Sequence, residues 1–157
     1  MKAAFYKGTR PGLAGIYNIL VRWWTRSPYS HCELVFKDGQ AASASFLDHG
    51  VRFKQISFDP DHWDMFDLPD RLEAKARAWF VIHDGDEYDL LGNAHFIIGP
   101  VGDEKAQWFC SEAIAAALGI PNPERYDPGT LASAIQVLNQ PAEAGIFSTK
   151  GAKNDGS

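Results

Sequence analysis

Three short strand-like runs, packed between Ser30 and Ile56 and separated only by tight turn signals, constrain this chain more than any other feature. Ser30-His31-Cys32-Glu33-Leu34-Val35-Phe36 is followed by Asp38-Gly39, a two-residue hairpin signal. Ala41–Phe46 returns as a second strand. Asp48-His49-Gly50 turns the chain again, and Val51–Ile56 reads as a third strand. Lys2–Tyr6 and Trp63–Leu68 are further strand candidates.

The flanks have the other period. Leu13 to Trp24 places apolar residues at 13, 16, 17, 20, 21 and 24, a helical stripe that Ser27-Pro28 ends. After Pro69, residues Leu72, Ala76, Trp79 and Phe80 share a helix face. A short helix is expected over Tyr88–Phe96 and a loop over Gly99–Lys105. An alanine-rich helix is expected over Phe109–Leu118, closed by Gly119 and Pro121, and a last one over Thr130–Leu138. A meander of strands with separate helices implies an α+β fold, an antiparallel sheet packed against helices. Residues 1–141 read as one domain, and 142–157, small and polar, as a flexible tail.

A 157-residue chain that is 45% hydrophobic, with 5 Trp, 5 Tyr and 10 Phe, can fill a core without disulfides or a structural metal. Its formal net charge of −5 and its lack of a Lys/Arg run give no attraction for nucleic acid. The longest near-apolar stretch, Gly12–Trp24, is broken by Asn18 and Arg22 and is too short for a transmembrane segment. The start has no secretory signal, and the two cysteines form no disulfide framework, so a reducing cytoplasm is the expected compartment.

Those two cysteines differ in setting. Cys110 stands where a loop gives way to a helix, in Gln-Trp-Phe-Cys-Ser-Glu-Ala. Unpaired amides at a helix N-terminus favour thiolate over thiol and can also hold an oxyanion. Cys32, by strand alternation, faces away from His31 and reads as core. His31 and Glu33 share the opposite face, where burying two polar groups is costly unless that face serves a site or is solvated.

Tyr-Ser-His-Cys-Glu-Leu-Val-Phe, followed much later by Trp-Phe-Cys-Ser-Glu-Ala, resembles the circularly permuted branch of the NlpC-type, papain-like cysteine hydrolases. That branch includes the YiiX-like amidases and relatives of lecithin retinol acyltransferase, and in it the histidine strand precedes the cysteine helix, as here. Gly50-Val51-Arg52-Phe53-Lys54 and Trp79-Phe80 are also similar to segments of phage and prophage proteins of this kind. The resemblance implies a permuted papain-like fold in which Cys110 attacks an amide of a peptide or cell-wall peptide and His31 is the general base. An acyl-enzyme would follow.

A lipid-directed thioesterase or acyltransferase on the same site is the alternative, with helix 13–24 walling an apolar cleft. A non-catalytic phage or interaction protein that keeps the fold is another. The family takes a third polar residue from the strand after the histidine. With a two-residue turn at Asp38-Gly39, His31 faces Phe46, which cannot orient a ring, and only a slip of one residue brings Ser45 across. Glu33, two places along the same strand face, is the preferred orienting group, with Ser45 or a bare Cys–His dyad as alternatives.

No cofactor motif is present. His49, His62, His83 and His95 lack metal-ligand spacing, and the Asp59, Asp61, Asp64 and Asp67 cluster lacks the glycine and closing glutamate of a calcium loop. The five tryptophans, Trp23, Trp24, Trp63, Trp79 and Trp108, read mostly as core, with Trp108 also a candidate groove residue.

Overall fold

The structure, a computed structural model, describes residues 1–9, 11–88 and 107–139. In chain order it contains β1 (Lys2–Tyr6), α1 (Leu13–Thr25), β2 (His31–Val35), β3 (Gln40–Ser45), β4 (Gly50–Gln55) and β5 (Trp63–Asp67). Then follow α2 (Glu73–Ile82), β6 (Glu87–Tyr88), β7 (Gln107–Trp108), α3 (Cys110–Leu118) and α4 (Pro128–Asn139). The class is α+β, as the sequence pattern implies. The loop over 99–105, His95, the tail from 142 and the helix expected beyond Tyr88 lie outside the described residues. Tyr88 itself belongs to β6.

The sheet order is β5-β1-β2-β3-β4-β6-β7. The five longer strands pair antiparallel throughout, and only the two-residue β6 and β7 pair parallel. The expected meander holds for β2, β3 and β4. It does not continue into β5, which crosses the sheet to pair with β1, Trp63 lying opposite Tyr6. The free edge of β4 is taken instead by the 85–88 segment, through Val51 N–H to Asp86 C=O and Gly85 N–H to Val51 C=O. Trp63 meanwhile packs with Ala4 and Tyr6 in a small second cluster.

The alternation of β1 and β2 decides what each face does. Ala3, Phe5, Cys32 and Leu34 point into the main core with Ala42, Ala44 and Val51. Against them pack Ala76 and Phe80 of α2, Ala113, Ile114 and Ala117 of α3, and Leu131 and Ile135 of α4. The alanines of α3 let that helix lie close on β2 and β3. Phe5, Leu34, Phe80 and Ile114 are fully buried, each side chain contributing about 1.5–3 kcal/mol of hydrophobic stabilisation.

Two expectations change. The β2–β3 turn has three residues, not two: Phe36 N–H bonds Gln40 C=O at 2.9 Å and Gly39 N–H bonds Phe36 C=O at 3.0 Å. Gly39 takes φ +83 while Asp38 stays at negative φ. That is a tight turn followed by a left-handed residue that bulges the hairpin, whereas a two-residue type I′ turn needs both central residues left-handed. The second change concerns Trp23 on α1. Its stripe residues Ile16 and Leu20, with Ile19 and Trp23, are more than half exposed, so Trp23 is not core. Among the described side chains of α1, Asn18 Nδ2 donates to Ser30 Oγ at 3.0 Å, both residues buried, and Arg22 donates to Lys7 C=O and Thr9 Oγ1. Periodicity reveals a stripe but not which side of the helix the sheet will take.

Candidate active site

Cys110 is the first residue of α3 and is fully buried. Phe109, extended at φ −86 and ψ 155, delivers the chain to the helix. Glu112 reaches back one turn, its carboxylate accepting the Phe109 backbone N–H at 3.1 Å. Ser111 donates its hydroxyl to Tyr126 C=O, tying the first turn to the segment that leads into α4. These bonds fix the start of the helix while its first amides keep no helical acceptor. Trp108, just before, donates Nε1–H to Asp86 at 3.1 Å and packs edge-on against Trp79. Its described contacts are those of a clasp between β7 and α2.

His31 opens β2, and 13% of its side chain is exposed. Its Nε2 lies 2.8 Å from Glu33 Oε1. That leaves Nδ1 for the Cys110 side, where the two side chains lie close enough for the charge of each to act on the other. Burial alone would push the imidazole towards its neutral form. The Cys110 thiolate and Glu33 outweigh it and hold His31 protonated well above the ordinary range. Burial likewise opposes ionisation of Cys110, but the Cys32 thiol, the His31 cation and the Cys32 backbone amide together carry its pKa well below the ordinary thiol range. Cys32 moves the opposite way, raised by burial and by the Cys110 charge. Cys32 is therefore core, as alternation requires, yet it is also a neighbour of the candidate nucleophile and not remote from it.

The structure brings Glu33 to His31 in the manner the strand spacing allows, with the two residues two places apart on one face. Ser45 is brought to the same region by the one-residue change in register. Leu34 pairs with Ala42 and Val35 with Ala41; continued along the strands, this sets Ser45 opposite His31 and Ser43 opposite Glu33. The ring nitrogen nevertheless goes to Glu33.

Sequence reasoning did not single out Arg52. Its guanidinium forks onto both oxygens of Glu33, Nη1 to Oε2 at 2.7 Å and Nη2 to Oε1 at 2.5 Å. Its Nε donates to Asp48 at 2.8 Å, and Lys54 holds the other Asp48 oxygen at 2.6 Å. Glu33 is 1% exposed. Burial would protonate such a carboxyl, but Arg52 and His31 lower its pKa instead. The result is a line of alternating charge: Cys110, His31, Glu33, Arg52, Asp48, Lys54. The signal for Arg52 lies in the alternation of β4, where Val51 and Phe53 face the core and Arg52 and Lys54 the other side. Reading it also requires the correct β2–β3 register.

The remaining polar residues have other partners. His62 contacts Asp59, His83 contacts Asp86, Asp64 accepts from Lys7 and Tyr29, and Asp67 pairs with Lys2. Among the described residues no group of three or more His, Cys, Asp or Glu side chains is placed to hold a metal ion. No described helix is long and apolar enough to cross a membrane. No family model, no curated protein and no solved structure matches the chain.

Proposed function

We propose that the protein is a cysteine hydrolase of the permuted papain-like kind, cleaving an amide bond in a peptide or peptidoglycan fragment through an acyl-enzyme. The observation that carries this reading is the placement of Cys110 at the first residue of α3 beside His31, whose far nitrogen is held 2.8 Å from Glu33. The order of the elements, histidine strand before cysteine helix within an antiparallel sheet, supports the permuted fold.

The chemistry follows from the charges. The Cys110 thiolate attacks the carbonyl carbon, and the first-turn amides of α3 receive the developing oxyanion. The His31 imidazolium gives its Nδ1 proton to the departing amine, and the acyl group stays on sulfur. His31, now neutral, then takes a proton from water as that water attacks the thioester. Collapse frees the carboxylic acid and restores the ion pair. Glu33 holds the ring in place and stabilises its cationic form without itself being protonated.

A second reading is favoured by one observation. The exposed apolar residues of α1 sit on a helix whose Asn18 bonds to Ser30, next to His31. A lipid thioester or ester would find an apolar surface there.

The test is acylation of the native protein with small panels of amide and ester acyl probes, chosen because Cys110 is fully buried, followed by mass mapping of the adducts. The expected result is an adduct on Cys110, absent from Cys32 and lost in Cys110→Ala. The class of probe that reacts separates peptide from lipid chemistry. No adduct from any probe, or labelling of Cys32 instead, overturns the reading and leaves a non-catalytic phage or interaction protein as the better account.

A further inference from the structure

We propose that Arg52, braced by Asp48, is a positioning residue for the Cys110–His31 pair, acting through Glu33. This rests on the reading of Cys110 and His31 as the reacting pair. Glu33 and Arg52 belong to strands two apart in the sheet, separated by β3. Neighbouring strands lie about 4.8 Å apart, so the two side chains must meet across roughly 10 Å. Ser43 lies between them, opposite Arg52 in the β3–β4 register. Its hydroxyl turns down to Cys32 C=O at 2.7 Å. A small residue at that position leaves a channel over β3 through which glutamate and arginine reach each other.

The geometry uses the whole guanidinium. Two nitrogens fork onto the carboxylate, which fixes its plane, and the third is anchored by Asp48 at 2.8 Å. A lysine would supply the charge without the plane. With the carboxylate plane fixed, Oε1 is presented to His31 Nε2 in one orientation only. Without Arg52, Glu33 is a carboxyl 1% exposed with the imidazole as its charged partner, and burial then favours uptake of a proton. Once protonated, it no longer supports the imidazolium, and the imidazolium no longer supports the thiolate.

The charged groups bearing on each member are few among the described residues. Cys110 and Glu33 act on His31, Arg52 and His31 act on Glu33, and Cys32 and His31 act on Cys110. Asp48 and Lys54 complete the line beyond Arg52. From β1, Tyr6 lies opposite His31. From β3 come only the hydroxyls of Ser43 and Ser45.

The experiment is the rate of Cys110 alkylation by iodoacetamide against pH, read by mass mapping on the full chain. In Arg52→Met the pKa read from the acid limb is expected to rise by about one unit, so that alkylation on that limb is about 3.5-fold slower, a tenfold smaller thiolate fraction being offset about 3-fold by a more nucleophilic thiolate. Arg52→Lys should fall between that variant and wild type, and Asp48→Asn should shift the limb in the same direction by less. In a Glu33→Gln background, Arg52→Met should add no shift, whereas a purely structural role would move both backgrounds alike. An Arg52→Met profile that superimposes on wild type, or an equal shift in both backgrounds, overturns the proposal. If Arg52→Met does not fold, the Asp48→Asn and Arg52→Lys profiles decide. If His31→Ala also leaves the profile unchanged, the reacting pair itself is misassigned. If His31→Ala shifts it and the Arg52 variants do not, only the role of Arg52 falls.

Discussion

Replacing His31 by Ala should change the shape of the Cys110 alkylation profile, and the structure predicts where the two profiles cross. With imidazolium beside it, Cys110 has a pKa lowered to about 5. At pH 5.5 about three-quarters of such a thiol is ionised, against roughly 0.1% for a thiol with the ordinary value near 8.5. The ionised fractions differ by about 750-fold. A less basic thiolate is also a weaker nucleophile, with a Brønsted slope near 0.45 that costs about 40-fold over this interval. The net expectation is that wild type reacts about 20-fold faster at pH 5.5. Near pH 7 the two effects nearly cancel, and at pH 8 the variant overtakes. Burial of the thiol in the variant pushes the crossing higher still, without changing the sign on the acid side. Between about pH 6 and 8 the wild-type rate should be nearly flat, while the variant rises towards tenfold per unit. The assay is brief iodoacetamide labelling from pH 5 to 9 with mass mapping, Cys32 serving as the internal reference. The fold should survive the substitution, because Glu33 keeps both bonds from Arg52 and no buried charge is orphaned. Parallel profiles with a constant ratio would refute the reasoning, because they would mean that His31 does not set the ionisation of Cys110.

Two further outcomes follow from the hairpin that carries His31 and Glu33. Glu33→Gln should lower turnover severalfold or more on whichever acyl probe reacts, while Ser45→Ala changes it little, since the His31 ring nitrogen bonds Glu33 and not the serine opposite; the reverse pattern would transfer the orienting role to Ser45. Gly39→Ala should lower stability by about 1 kcal/mol in urea unfolding with no loss of Cys110 reactivity, because its φ of +83 disfavours a side chain while nothing lies within 4 Å of the new Cβ; an unchanged midpoint would argue for a different turn.

Much of the candidate site is legible in the sequence for local reasons. A loop, then Cys110, then Ser111, Glu112 and a run of alanines is a helix start whatever the fold around it, and the amides at that start follow from backbone geometry. His31 and Glu33 share a strand face because side chains alternate, and their spacing along one strand is fixed without knowledge of any partner. Those are relations within one element, which covalent geometry settles.

What the tertiary structure decided are relations between elements. Asp38-Gly39 announces a hairpin, but whether Asp38 also goes left-handed depends on how the two strands twist and pack, and the outcome moved Ser43 and Ser45 to the face of Glu33 and His31. Arg52 is an ordinary charged residue of a half-exposed strand until that register places it beside Ser43 and within reach of Glu33. Cys32 is core by its own strand and becomes a neighbour of Cys110 only because α3 lies on β2. The apolar residues of α1 are visible in the sequence, but that Ile16, Leu20 and Trp23 stand exposed while Asn18 and Arg22 bond to Ser30, Lys7 and Thr9 is not. Periodicity fixes the angle between side chains on one element, whereas the facing of that element is a sum of contacts with strands distant in sequence.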